Sequence, residues 1–151
     1  MLPTIYEDAL KRPDLFHWFG VAEAEFEAWL TALPLRVHPG LVGFWRRTGG
    51  GDLFESETLL GPLVKDEGDN VLKLNECHWG KGLPSDLLIF HTGLCLSASS
   101  VDSSRHRNRL VSFRSGSYEI GRQFNTFNEW YQQTIRAEYA GRYGLSNGRE
   151  S

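Results

Sequence analysis

The sequence predicts an α+β domain, with a central, mostly antiparallel sheet, helices packed on one face and a long C-terminal helix. Three observations carry that prediction. Apolar residues recur first at helical spacing, then alternate at strand spacing between short turn signals, then return to helical spacing at the end. The 151 residues suffice for one ordinary domain and are too few for two. At 40% hydrophobic, with five Trp, five Tyr and nine Phe, the chain can build a core without a metal or disulfide staple.

Taken in order, residues 2–18 hold material for a short helix. Residues 23–33 form the first well-marked one: Phe26, Trp29, Leu30 and Leu33 share a face, and Glu23, Glu25 and Glu27 crowd the positive end of its dipole. Pro34 stops it. A second helix starts at Pro39, a natural first-turn residue, and turns Leu41, Phe44 and Trp45 inward. Arg46 and Arg47 fall in its last turn, and Gly49 suits a left-handed cap.

Residues 52–60 then read as one extended strand, with Phe54, Ser56, Thr58 and Leu60 on one face and Leu53, Glu55, Glu57 and Leu59 on the other. Residues 62–70 are polar and turn-like, and residues 71–79 read as partly helical. Residues 87–91 are a continuous apolar run suited to a central strand, and Thr92-Gly93 is a turn. Leu94, Leu96 and Ala98 alternate along the next strand. Strands over 110–114 and 117–124 follow, joined by a Ser115-Gly116 hairpin. Thr126-Phe127-Asn128-Glu129 is a capping box, in which the Glu129 carboxylate can reach back to Thr126. It opens a helix whose stripe of Phe127, Trp130, Tyr131, Ile135 and Tyr139 ends at Gly141.

Composition excludes several classes. The apolar fraction is too high for disorder, heptads are absent, and no window approaches the ~18 consecutive apolar residues of a membrane span. A net charge of −3 gives no global pull toward nucleic acid or anionic lipid. The first twenty residues lack the basic start and apolar stretch of a signal peptide, so a cytoplasmic location with Cys77 and Cys95 reduced is expected.

The chemistry-bearing residues form few recognisable sets. Gly49-Gly50-Gly51 follows a helix and precedes a strand, without the Gly-Lys-Ser/Thr of a phosphate loop, and reads as a cap plus a tight reversal. Glu55 and Glu57 would stand ~6–7 Å apart on one strand face, a spacing that also suits paired catalytic acids. With no companions nearby they read as the solvated face of an edge strand. His17, His38, Cys77, His78, His91, Cys95 and His106 form no metal-ligand spacing, and no Cys–His hydrolase surround is present. Arg105-His106-Arg107-Asn108-Arg109 lacks interleaved aromatics and reads as a solvated hairpin tip. No catalytic set, cofactor or metal is expected. The acidic counterpart is denser. Between positions 52 and 69 stand Asp52, Glu55, Glu57, Asp66, Glu67 and Asp69 against Lys65, a local net of −5 that would steer a basic partner.

Leu33-Pro34 after the amphipathic helix, then Thr48-Gly49-Gly50-Gly51 followed by Asp52-Leu53-Phe54, resemble the SUKH superfamily of Smi/Knr type. So do the apolar run 87–90 after Gly82-Leu83-Pro84, and Asn125-Thr126-Phe127-Asn128-Glu129-Trp130-Tyr131 at the start of the last helix. The resemblance spans about residues 23–140 of a single domain over 1–151. Where members of that family often carry a second glycine-rich turn in the middle strands, Gly93 stands alone here.

The resemblance implies an α+β fold and a protein without an active site, either a bacterial immunity protein or a fungal-type regulatory scaffold. The leading expectation is therefore a non-enzymatic immunity protein that neutralises a cytoplasm-acting toxin domain, such as a basic nuclease, by direct binding. Its contact zone would be Asp52, Glu55, Glu57, Asp66, Glu67 and Asp69, with no nucleic-acid or membrane partner. The alternatives are an intracellular regulatory module of the same fold and a hydrolase using Glu55 and Glu57.

Overall fold

The computed structural model describes residues 3–101 and 108–145. Seven strands form one antiparallel sheet whose spatial order is the chain order: β1 (Phe16–Trp18), β2 (Gly51–Leu53), β3 (Glu57–Leu59), β4 (Leu87–Thr92), β5 (Ser97–Ser100), β6 (Leu110–Phe113) and β7 (Ile120–Phe124). The helices are α1 (Thr4–Lys11), α2 (Glu23–Ala32), α3 (Pro39–Thr48), α4 (Val71–Trp79) and a C-terminal helix over residues 127–143. The α+β prediction holds. Among the described residues no helix is long and apolar enough to cross a membrane. Residues 105–107 of the basic run lie outside the described residues.

Helix α3 begins and ends as its sequence dictates. Pro39 occupies the first turn, and His38 caps it by accepting the Gly40 N–H on Nδ1 at 2.9 Å while Nε2 donates to Asn125 O at 2.8 Å. Leu41, Phe44 and Trp45 are buried, and the Trp45 indole donates to Leu60 O at 2.8 Å. Gly49 closes the helix in the left-handed region at φ 76°, returning its N–H to Trp45 O. Trp45 meets Trp29 of α2 edge-on, and Phe44 stacks on Phe127 of the C-terminal helix at 4.9 Å.

Helix α4 protects a strand edge. Asn70 caps it, accepting the N–H groups of Leu72 and Lys73. Its buried Asn75 then bonds both the N–H and the C=O of Ile89 at 2.7 Å. The Trp79 indole donates to Leu87 O at 3.0 Å. Strand β3 pairs only with the far end of β4, at His91 and Thr92. The side chains of α4 therefore satisfy backbone groups of β4 that no strand reaches.

The C-terminal helix departs from regular geometry. It is α-helical over Phe127–Trp130, π-helical over Tyr131–Arg136 and α-helical again over Ala137–Tyr143. The wider turn brings residues five apart into line. Tyr131 and Arg136 consequently both donate to Asp8 Oδ2, at 2.7 and 2.9 Å, inside the core. That buried acceptor on α1 accounts for the widened segment.

Several expectations are corrected. Residues 52–60 are not one strand but β2 and β3 folded on a three-residue loop, with Leu53 opposite Glu57. Residues 2–18 hold a strand, β1, as well as the helix. Leu94 is 47% exposed and precedes β5 rather than belonging to it. The last helix runs past Gly141 to Tyr143, because Gly144 supplies the left-handed cap at φ 72° and Leu145 packs back into the core. In the capping box Thr126 accepts the Glu129 N–H at 3.0 Å, but the Glu129 carboxylate accepts from Asn125 N–H instead of Thr126.

Two glycines of one helix should behave oppositely. A methyl at Gly49 would collide with Gly20 O from a backbone already in the left-handed region, so Gly49→Ala should cost about 2–4 kcal/mol in urea denaturation. Gly43, inside α3 with nothing near its missing side chain, should gain about 0.5–1 kcal/mol on conversion to Ala.

Candidate functional site

The acidic segment is divided between inside and outside. Phe54 and Glu55 take positive φ values of 50° and 69°, which folds the chain back between β2 and β3. Neither residue type favours that region. What holds Phe54 there is burial: its ring stacks on Tyr139 at 4.9 Å and meets Phe16 edge-on at 5.0 Å. The reversal leaves Glu55 exposed and carries Glu57 inward, where it is 2% exposed. The shared solvated face expected for the pair does not exist, and β3 is an interior strand.

Inside, Glu57 is thoroughly hydrogen-bonded. It accepts from His91 Nε2 at 2.8 Å, from the Tyr139 hydroxyl at 2.6 Å and from the Leu94 N–H at 3.0 Å. The Ser56 hydroxyl lies 3.2 Å from the carboxylate and 2.8 Å from the Tyr139 oxygen. Burial alone would raise this carboxyl, but the bonds from His91, Tyr139 and Leu94 outweigh it and hold Glu57 below the ordinary carboxylate range. His91, wholly buried, is pushed below the ordinary histidine range by desolvation, against the pull of Glu57. A neutral imidazole that donates to Glu57 from Nε2 accepts on Nδ1 from the Ser97 hydroxyl, 2.9 Å away. The same carboxylate raises Tyr139, whose shift comes first from its burial.

Ser97, His91 and Glu57 thus stand in the order of an acyl-transfer triad. The resemblance ends at access. Ser97 and His91 are both 0% exposed, and the Trp130 ring sits 5.2 Å from the imidazole. No substrate can reach the hydroxyl, so the chain of bonds ties strands and helix together. Cys95, half-buried 3.9 Å from the Ser97 hydroxyl, has its thiol raised by burial rather than activated.

The remaining acidic residues gather on the outside. Asp52 on β2 accepts from the Thr58 hydroxyl at 2.9 Å. Asp66 and Glu67 are exposed on the loop before α4, and Asp66 accepts the Gly68 N–H. The Asp69 carboxyl is raised above its ordinary value, first by burial, then by the nearby charges of Asp52 and Asp66. Of the six predicted residues, Asp69 therefore feels the charges of two others, Asp52 and Asp66. Glu67 is exposed beside them, Glu55 is exposed on the β2–β3 loop, and Glu57 is withdrawn.

No family model, curated protein or solved structure matches this chain. Its function is a question of geometry and charge. Among the described residues, no three His, Cys, Asp or Glu side chains gather as a metal site. The residues that sequence reasoning missed are His91, Ser97 and Tyr139. The available signal was Glu57 itself, a carboxylate in alternation with Leu53 and Leu59, and a histidine ending the apolar run 87–91. An acid and a histidine on buried faces of strands need a partner, and each is the other's.

Acid should unfold this protein in two stages. His91 is held neutral when folded, so stability is full above the unfolded histidine value of ~6.5 and declines as pH falls below it. Glu57, held low when folded, contributes stability that is present above ~4.3 and lost as pH falls through its folded value. Chemical denaturation from pH 8 to 3 should show both limbs, and His91→Gln should flatten the upper one. Glu57→Ala should cost about 3–5 kcal/mol by stranding buried donors. A methyl at Gly93 would strike the Glu57 carboxylate, so a Glu57→Ala/Gly93→Ala cycle should be non-additive by about 1 kcal/mol or more.

Proposed function

We propose that this chain is a non-enzymatic binding protein, of the immunity type, that neutralises a toxin domain acting in the cytoplasm by direct contact through its acidic face. What supports the reading is the crowding of Asp52, Asp66 and Asp69. Burial first, and then the charges of Asp52 and Asp66, raise the Asp69 carboxyl in the free protein, and a cationic partner surface would relieve the repulsive part. A nuclease surface, built to hold phosphates, carries that charge. The burial of Ser97 and His91 favours binding over hydrolysis. The resemblance to the SUKH superfamily adds the immunity role and, as the second reading, a regulatory scaffold.

The contact zone is revised accordingly. Glu57 is removed from it, because a charge reversal there would strand buried donors rather than probe an interface. Asp66→Lys, Glu67→Lys and Asp69→Lys together should abolish protection when the chain is co-expressed with a toxin domain encoded beside it. The thermal transition should stay within a few degrees, since Asp66 and Glu67 are exposed. Full protection by the folded triple variant would remove the acidic face from the proposal. A pull-down that returns several unrelated housekeeping proteins, and no toxin fragment, would favour the scaffold reading.

A further inference from the structure

A second surface is built from other elements than the acidic face. Because the strands alternate in direction, the β4–β5 turn and the β6–β7 hairpin leave the sheet at the same end. Between them lies a cleft of about 540 Å³ whose lining includes Lys81, Leu94, Cys95, Leu96, Arg114 and Tyr118. That volume is in the range of ligand sites. Its two charged lining groups, Lys81 and Arg114, are both cationic. Arg114 has a partner outside the lining: Glu119, at 3.6 Å, with both side chains about two-thirds exposed. Such a pair is weak and exchanges readily for a better one.

The cleft is held open by bonds made beneath it. On one side the Leu94 N–H is fixed by the buried Glu57 carboxylate, which packs so closely on Gly93 that no side chain fits there. Leu94 is thereby presented at the lip, 47% exposed. On the other side the Tyr118 hydroxyl is bonded to His78 Nδ1 at 2.7 Å, and its ring meets His78 and Phe113 edge-on. Both walls are therefore set before anything binds, which lowers the ordering cost of binding.

We propose that this cleft binds a short extended segment of a partner protein in which a carboxylate side chain stands beside an apolar one. The carboxylate meets Lys81 and Arg114, and the apolar side chain covers Leu94, Leu96 and the Tyr118 ring. A small carboxylic acid would satisfy the cations but leave Leu94 in water. A nucleic acid would find two cations on a chain of net charge −3. The cleft shares no lining residue with the acidic face, and either surface can bind without the other.

The test is an amide-shift titration of the ¹⁵N-labelled full chain with the peptide acetyl-Leu-Glu-Asp-Leu-amide. Saturable shifts are expected at Leu94, Cys95 and Ser115 to Tyr118, with a Kd of about 0.1–1 mM. The isosteric acetyl-Leu-Gln-Asn-Leu-amide should bind about tenfold more weakly or not at all, and so should the peptide to Lys81→Glu/Arg114→Glu. That double variant should keep its fold, since both side chains are exposed. No saturable shift at ~10 mM peptide would overturn the proposal, as would equal binding of the amide isostere or shifts centred elsewhere. N-acetyl-leucine is the small-molecule arm, and binding as tight as the peptide's would overturn the choice of a protein segment.

Discussion

Most of this molecule depends on one buried carboxylate. Glu57 draws donors from β4 through His91, from the following turn through Leu94 N–H and from the C-terminal helix through Tyr139. A buried charge without those bonds would be prohibitively costly, and with them it fixes the relative position of everything that supplies a donor. The turn after β4 is pinned at its start, because Gly93 packs against the carboxylate with no room for a side chain and the Leu94 N–H donates to it. The helix can settle at only one depth, because the Tyr139 hydroxyl must reach Glu57 while its ring stacks on Phe54. The left-handed residues of the β2–β3 loop are held by the same packing.

Asp8 does similar work at the other end of the helix. It is 1% exposed and receives both Tyr131 and Arg136, whose five-residue separation is accommodated by a π-helical turn. Desolvation, then the Asp8 charge, pushes the Tyr131 hydroxyl well above the ordinary tyrosine range, so it remains a donor. Two buried carboxylates therefore set the C-terminal helix over the sheet, and between them the aromatic contacts of Phe127 and Trp130 with Phe90 fill the core. Aromatic and aliphatic side chains together supply the apolar burial. The carboxylates supply its register.

The surface follows from what the interior keeps. One acid of the run, Glu57, is withdrawn into the core, and Asp52 and Asp66 are left outside beside Asp69. At the sheet end, the bond that the Leu94 N–H donates to Glu57 holds an apolar side chain in water beside two cations. The proposed acidic contact face and the proposed basic, apolar cleft thus differ in charge and in supporting elements.

Much of this was legible in the chain. Helical spacing located α2, α3 and the last helix, and Pro39, Gly49 and the Thr126–Glu129 box placed their ends to within a few residues. The apolar run of β4 and the Ser115-Gly116 hairpin were equally plain. The β2–β3 reversal was not, because Phe54 and Glu55 are not turn formers and take left-handed conformations only when Tyr139 and Phe16 close over the Phe54 ring. The acidic run was visible as composition, yet its division was not. Alternation along a strand says which residues share a face, not which face is buried. Local spacing and capping were enough to specify the fold class, the starts of α3 and the last helix and the density of negative charge. That Glu57 belongs to the core emerges with folding alone, because it requires His91 and Tyr139, 34 and 82 residues away, to arrive at the same point.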